Sequence, residues 1–87
     1  MARVFLPSAL QSLIGSQDVV ETFGGNVREV IADLESRFPG IRNRLCEGDD
    51  LRPSMAVTVD GGVSSLGMLQ RVNAESEIHF LPAIGGG

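Results

Sequence analysis

The chain has 87 residues, a length that suits one domain with one core and leaves little room for a deep catalytic cleft. Eleven acidic and seven basic residues give a net charge of −4, which argues against a nucleic acid or an anionic membrane surface as partner. All seven basic residues are arginine, so the chain offers no lysine side chain for an isopeptide bond with its own copies.

The first part of the chain predicts two strands. Residues 2–7 (ARVFLP) alternate in character, with Val4 and Leu6 on one face, and Pro7 ends the strand. Residues 18–23 (DVVETF) predict a second strand, which two glycines interrupt. Because the two segments are close in sequence, we expect them to pair antiparallel.

The clearest pattern predicts an amphipathic helix over residues 26–38. Asn26 is a favourable N-cap, and Glu29 is placed to bond back to it as in a capping box. Pro39 and Gly40 stop the helix. The charged residues of the opposite face are interpreted as a solvated surface. The apolar residues that recur at helical spacing are Val27, Val30, Ile31, Leu34 and Phe38.

The second half predicts a helical turn and an acidic loop over 41–50, a strand over 54–62, a largely irregular segment over 63–76 and a last strand over 77–82. A turn is expected at Asp60-Gly61. This order indicates an α+β fold, a mixed four- to five-stranded sheet with one main helix packed on one face. The predicted core is Val4, Leu6, Val19, Val27, Val30, Ile31, Leu34, Phe38, Leu45, Val57, Val59, Ile78 and Phe80.

Two residue types that often carry chemistry occur once each. Cys46 is the only cysteine in the sequence, so no intrachain disulfide can form. Its acidic neighbours (EGDD, 47–50) would raise the pKa of its thiol, which favours a structural role over a role as nucleophile. His79 lacks further ligands at a suitable spacing, so no metal site is predicted. With neither a secretory segment nor a long apolar run, a cytoplasmic location is expected.

The C-terminal segment FLPAIGGG, residues 80–87, leaves the last strand through a proline. Glycine has no Cβ, so such a segment can pass through a narrow channel. Residues 83–87 can extend about 17 Å, and Pro82 fixes the backbone at their root. We therefore predict a folded domain over 1–82 and a flexible tail over 83–87 that enters the active site of another protein. A frayed end is the alternative.

Ordering a flexible tail costs entropy, so a contact between folded bodies must supply affinity. The outward face of the sheet nearest the tail is the candidate, because exposed apolar patches often mark partner sites. The alternative is ordinary surface, with Phe5 packed under a loop. The candidate partner-binding residues are Phe5, Ala56, Thr58, His79, Leu81 and Ile84.

Three segments together resemble the small bacterial and archaeal sulfur carriers of the MoaD/ThiS family. They are RVFLP (3–7), NVREVIADLESRFPGIRNRL (26–45) and EIHFLPAIGGG (77–87). The resemblance is nearest to the carriers of thiocarboxylate-dependent cysteine synthesis, through FPGIRNRL and the LPA that opens the tail. It implies a β-grasp, or ubiquitin-like, fold. Departures over 73–78 and at Asp60 leave the pathway open.

The resemblance also implies the chemistry of a carrier and not of an enzyme. In the family, an ATP-dependent activating enzyme adenylates the C-terminal carboxylate, a sulfur donor converts it to a thiocarboxylate, and a sulfur-accepting synthase takes the sulfur. By position, Gly86 and Gly87 match the Gly-Gly of the family, and Gly87 carries the reacting carboxylate. Gly85 occupies a variable position of the tail, and whether Gly86 or Gly87 is the functional end stays open. No bound cofactor is implied, because ATP is used by the activating enzyme.

Two alternatives keep the fold and change the function. In the first, the protein is a ubiquitin-like modifier conjugated through its C-terminal glycine to a lysine of a target. In the second, it is a non-catalytic β-grasp interaction subunit. The isolated domain is expected to be a monomer, and a protease that processes the C-terminus is a further candidate partner. The residues do not distinguish among molybdopterin, thiamine, cysteine and siderophore pathways.

Overall fold

The computed structural model of the chain describes residues 1–15, 17 and 19–82. The first two strands, β1 (Ala2–Phe5) and β2 (Val19–Thr22), pair antiparallel with Val4 opposite Val20, as predicted. Between them, a 3-10 helix (Ser8–Leu13) begins directly after Pro7. The connection between the two strands is thus partly helical.

After β2 the chain forms α1 (Val27–Arg37), α2 (Ile41–Leu45), β3 (Cys46–Glu47), β4 (Asp50–Leu51), β5 (Met55–Val59), β6 (Gly62–Val63), a second 3-10 helix (Gly67–Leu69) and β7 (Glu77–Pro82). Five of the strands form one mixed sheet with the order β2-β1-β7-β5-β6, in which β1 and β7 are parallel and the other pairs are antiparallel. This arrangement, with one long helix on one face, confirms the predicted β-grasp fold. A separate two-stranded hairpin, β3–β4, replaces the predicted acidic loop.

Helix α1 begins as its sequence predicts. The side chain of Asn26 accepts a hydrogen bond from the Glu29 N–H at 2.9 Å. The Glu29 carboxylate accepts from the Gly25 N–H at 2.7 Å, one residue before the predicted partner. Gly24 lies so close to the helix that a Cβ there would stand 2.8 Å from the Val30 nitrogen. The glycines before α1 therefore permit the helix to sit directly against the end of β2.

The turn between α1 and α2 is held by one carboxylate. Glu35 accepts hydrogen bonds from the Gly40 N–H at 3.1 Å and from the Arg42 N–H at 2.9 Å. The bonds from Arg42 and Gly40 lower the pKa of Glu35. The short α2 thus takes its N-terminal hydrogen-bond acceptor from the preceding helix.

The core lies between the sheet and α1, and most of the predicted core residues are buried or packed against it. Val19 is a wrong prediction, since Val20 and Thr22 face inward instead. Thr22 tolerates complete burial because its hydroxyl donates to the Ala2 carbonyl at 3.2 Å. Several buried residues were missed because they lie outside the predicted strands and main helix. These are Leu10, Ile14, Ile41, Cys46, Met68 and Val72.

In the described ranges, the helices are all too short or too polar to cross a bilayer.

Candidate functional site

The segment that leads to the C-terminus starts from the middle of the sheet. Strand β7 lies between β1 and β5, and its last residue, Pro82, pairs with Met55. Ile84 and the tail glycines Gly85, Gly86 and Gly87 lie outside the described residues. The candidate site is therefore described up to the root of the tail.

The other predicted partner-binding residues come together on the outward face of the sheet. Phe5 on β1 pairs with His79 on β7, which in turn lies opposite Thr58 on β5. One step towards the tail, Leu81 lies opposite Ala56. Leu81 is 43% exposed, and the other four are partly buried. We call these five residues the outward patch.

The centre of the outward patch is an aromatic stack. The rings of Phe5 and His79 are nearly parallel, with 4.3 Å between their centroids. Such a pair contributes about 0.5–1.5 kcal/mol beyond its area burial and fixes the orientation of both rings. The patch therefore has a preformed pair of rings at its centre.

A charged pair borders the outward patch on the side away from the tail. Arg3 and Glu77 form an ion pair with 2.9 Å between Nη2 and Oε2. The other carboxylate oxygen of Glu77 lies 3.9 Å from His79 Nε2. The surface thus changes from apolar to charged within two residues along each strand.

Two further valines, which were not predicted for this face, extend the row of Phe5, His79 and Thr58 to both edges of the sheet. Val19 pairs with Phe5 on one side, and Val63 pairs with Thr58 on the other. Val63 is 78% exposed. The adjacent valines Val19 and Val20 fit either face of a strand, so the sequence carried no signal for Val19. Val63 lies in a segment without a clear strand pattern.

The thiol of Cys46 lies away from the outward patch. Cys46 is buried in the core and donates its thiol to the Met68 sulfur at 3.9 Å. Burial raises the pKa of the Cys46 thiol; nearby Arg42 opposes the shift, and Asp50 makes only the smallest contribution to it. The rise was predicted, but the cause is burial more than the acidic neighbours. Among the described residues, no three of His, Cys, Asp and Glu are grouped as metal ligands.

Comparison with protein-family models gives the family. The model of the ThiS family matches residues 4–87, nearly the whole chain, including the tail glycines. The chain belongs to the ThiS family. No curated protein sequence matches this ThiS-family chain significantly.

Solved structures similar to the ThiS-family chain share its fold. A chain in the crystal structure of the Amycolatopsis orientalis BexX/CysO complex has 31% identity and a TM-score of 0.91, with 100% of both chains covered. CysO, an antigen from Mycobacterium tuberculosis, has 26% identity and a TM-score of 0.88, covering 97% of this chain and 100% of CysO. SAMP1, the small archaeal modifier protein 1 from Methanosarcina acetivorans, has 22% identity and a TM-score of 0.80, covering 99% of this chain and 95% of SAMP1. The similarity to SAMP1 shows only that the two proteins share a fold.

These comparisons confirm the resemblance to MoaD/ThiS proteins. The two structures above with more than 25% identity both contain CysO, in agreement with the predicted subgroup. The ThiS-family chain has the same ubiquitin-like fold as these CysO structures. Carriers of this family are generally small non-catalytic proteins that work with partner enzymes.

Proposed function

We propose that this protein is a sulfur carrier whose Gly87 carboxylate is adenylated and converted to a thiocarboxylate. The thiocarboxylate then donates sulfur in the biosynthesis of a cofactor, of cysteine or of a related compound. The observation that carries the proposal is the ThiS-family match, which extends through Gly85 and Gly86 to Gly87. In this proposal, residues 1–82 are the folded domain that contacts partner proteins, and residues 83–87 are a flexible tail that carries the reacting end.

The proposed reaction needs no catalytic side chain from this protein. A carboxylate oxygen of Gly87 attacks the α-phosphorus of ATP, and pyrophosphate leaves. A sulfur nucleophile then attacks the acyl carbon of the adenylate, and AMP leaves with the bonding electron pair. The activating enzyme supplies ATP and the catalytic groups, which is consistent with the burial of Cys46 in this chain.

We also propose that the outward patch, together with Ile84, binds the activating enzyme and the sulfur-accepting synthase. Leu81 supports this role because it is exposed and lies next to the root of the tail. A preformed stack of Phe5 on His79 would bind with little further loss of side-chain entropy. The complex of CysO with BexX shows that a similar chain has a protein partner.

The test is activation in vitro followed by intact mass measurement. The purified protein is incubated with a ThiS-type activating enzyme from the same organism, ATP and sulfide. The expected product has gained the mass difference between sulfur and oxygen. The matched variants lack Gly87 or carry one added residue after it, and neither should gain this mass. A wild-type chain that is never adenylated, or a shortened chain that is modified equally well, would contradict the proposal.

The same experiment separates the two alternatives. A protein modifier shares the activation step but forms conjugates with lysines of other proteins, which appear at higher mass in cell extract. A non-catalytic subunit gives neither product, and its function in the cell survives the loss of Gly87. The likeness to SAMP1 does not favour the modifier, since at 22% identity it shows the fold alone.

A further inference from the structure

Strand β2 forms one edge of the sheet, where unpaired backbone groups invite another strand to pair. The hydrogen bonds of β1 show which backbone N–H and C=O groups of β2 point away from the sheet. Arg3 donates its N–H to the Ser76 carbonyl at 2.9 Å, on the β7 side. Arg3 therefore does not exchange hydrogen bonds with Glu21, its partner on β2, and the peptide groups of Glu21 point to the open edge.

Two side chains of α1 occupy this edge. Asp33 Oδ2 accepts a hydrogen bond from the Phe23 N–H at 3.0 Å. Arg37 donates from Nη2 to the Glu21 carbonyl, and the same nitrogen donates to Asp33 Oδ2 at 3.0 Å. An acceptor thus faces the edge N–H, and a donor faces the edge C=O. The linked pair thus binds one N–H and one C=O that a neighbouring strand would otherwise bind.

The opposite edge has a different protection. Strand β6 contains only Gly62 and Val63, and very short edge strands are a common means of avoiding strand addition. Ser64 donates its N–H back to the Val57 carbonyl at 3.0 Å, so in this stretch only the groups of Val63 point outward. Of the two edge strands, the four-residue β2 is the one long enough to pair with another strand, so its edge is the one that must be protected.

We propose that Asp33 and Arg37 act as a guard that prevents a second copy of this chain from pairing with β2. Two identical edges related by a twofold axis form a self-complementary antiparallel pair, so another copy is the partner that the uncovered edge fits. The ion pair is partly exposed, with 41% of the Arg37 side chain and 24% of the Asp33 side chain accessible. Such pairs contribute little to folding stability, so we expect the main effect of its loss to be on self-association. The guard keeps the chain monomeric.

Two variants and one control test the guard. Asp33→Ala/Arg37→Ala removes both side chains without lowering helix propensity, since alanine is the best helix former. Asp33→Arg/Arg37→Asp keeps an ion pair on the helix but places a cation beside the Phe23 N–H and an anion beside the Glu21 carbonyl. The control, Arg44→Ala/Asp49→Ala, removes one exposed charge of each sign away from β2.

The first measurement is hydrogen exchange of single amides in dilute solution. The Phe23 amide is expected to exchange about tenfold faster in both guard variants than in the wild type and the control, because its acceptor is lost. The second is the mass in solution over a range of protein concentrations, at high salt to screen repulsion between the two Glu21 side chains. Both guard variants should reach twice the 9.2 kDa of one chain, or more, while the wild type and the control stay monomeric.

Pairing through β2 also predicts that the Glu21 amide becomes protected as the concentration of a guard variant rises. The proposal is overturned if the folded guard variants stay monomeric at every concentration or if the Phe23 amide exchanges as in the wild type. It is also overturned if the charge-swapped variant behaves like the wild type, or if association leaves the Glu21 amide unprotected. If the double alanine variant does not fold, the charge-swapped variant and Arg37→Ala alone decide the question by the same two measurements.

Discussion

The two faces of strand β7 have different roles in the molecule. Ile78 and Phe80 point inward and are completely buried under α1, whereas His79 and Leu81 point outward and remain accessible. Because side chains alternate along a strand, one short segment stabilises the fold and presents a surface to partners. The comparison teaches that folding and recognition can be perturbed separately by changing neighbouring residues.

The sharpest test of this separation compares two phenylalanines on opposite faces. Phe80→Ala removes a fully buried ring and should cost about 3–5 kcal/mol, a large share of the stability of a small domain. Phe5→Ala loses the stacking on His79, about 0.5–1.5 kcal/mol, and the burial of a ring that is only partly covered, so its cost should be clearly smaller than that of Phe80→Ala. Denaturant unfolding followed by circular dichroism measures both values, and similar losses would contradict the separation.

A second prediction concerns how α1 is fixed against the sheet. Gly24 has φ +152°, and a Cβ there would meet Glu29 Cβ and the Val30 nitrogen at 2.8 Å. Gly24→Ala should therefore cost about 1–3 kcal/mol, since the backbone must shift. Gly25→Ala is the matched control, because the nearest atom to its Cβ is a carboxylate oxygen of Glu29 at 3.5 Å. Equal unfolding midpoints for the two variants would show that the close approach at Gly24 is not required.

A third prediction applies to the outward face and depends on the proposed function. Leu81→Ala removes an exposed apolar side chain beside the tail. It should leave the unfolding midpoint unchanged and raise the KM of the activating enzyme for this protein about tenfold, the effect of losing an interface anchor. Steady-state pyrophosphate release measures KM. An unchanged KM would remove Leu81 from the docking surface.

The smallest predicted effect is a pH dependence at the turn after α1. Hydrogen bonds from Arg42 and Gly40 hold the pKa of Glu35 below its ordinary value of 4.5. The ionised carboxylate therefore stabilises the fold at pH values above the pKa that Glu35 has in the unfolded chain. This contribution is lost as the pH falls through the lower pKa that Glu35 has in the folded chain. Glu35→Gln should be less stable than the wild type at pH 7, and the difference should shrink in acid. A difference that does not depend on pH would mean that the charge of Glu35 has no role.

The accuracy of the sequence predictions depended on how local each signal was. The helix was predicted from Asn26 onward because capping and apolar spacing lie within a few turns of the chain. Val19 was placed on the wrong face because two adjacent valines fit either register. In the structure Val20 and Thr22 share the inward face, where the Thr22 hydroxyl donates to the Ala2 carbonyl on β1. Met68 was missed because it is buried by packing from a loop, without a periodic pattern.

The sequence by itself determined the main elements (β1, β2, α1, β5 and β7), the family resemblance and the glycine tail, because periodicity, caps and turn residues act over a few neighbours. Only the tertiary structure decided that Phe5 stacks on His79, that Val19 and Val63 extend the same face, and that Asp33 and Arg37 cover the β2 edge. These contacts depend on strand register and on the position of α1 over the sheet. Both are set by packing between residues far apart in the chain, which no local pattern encodes.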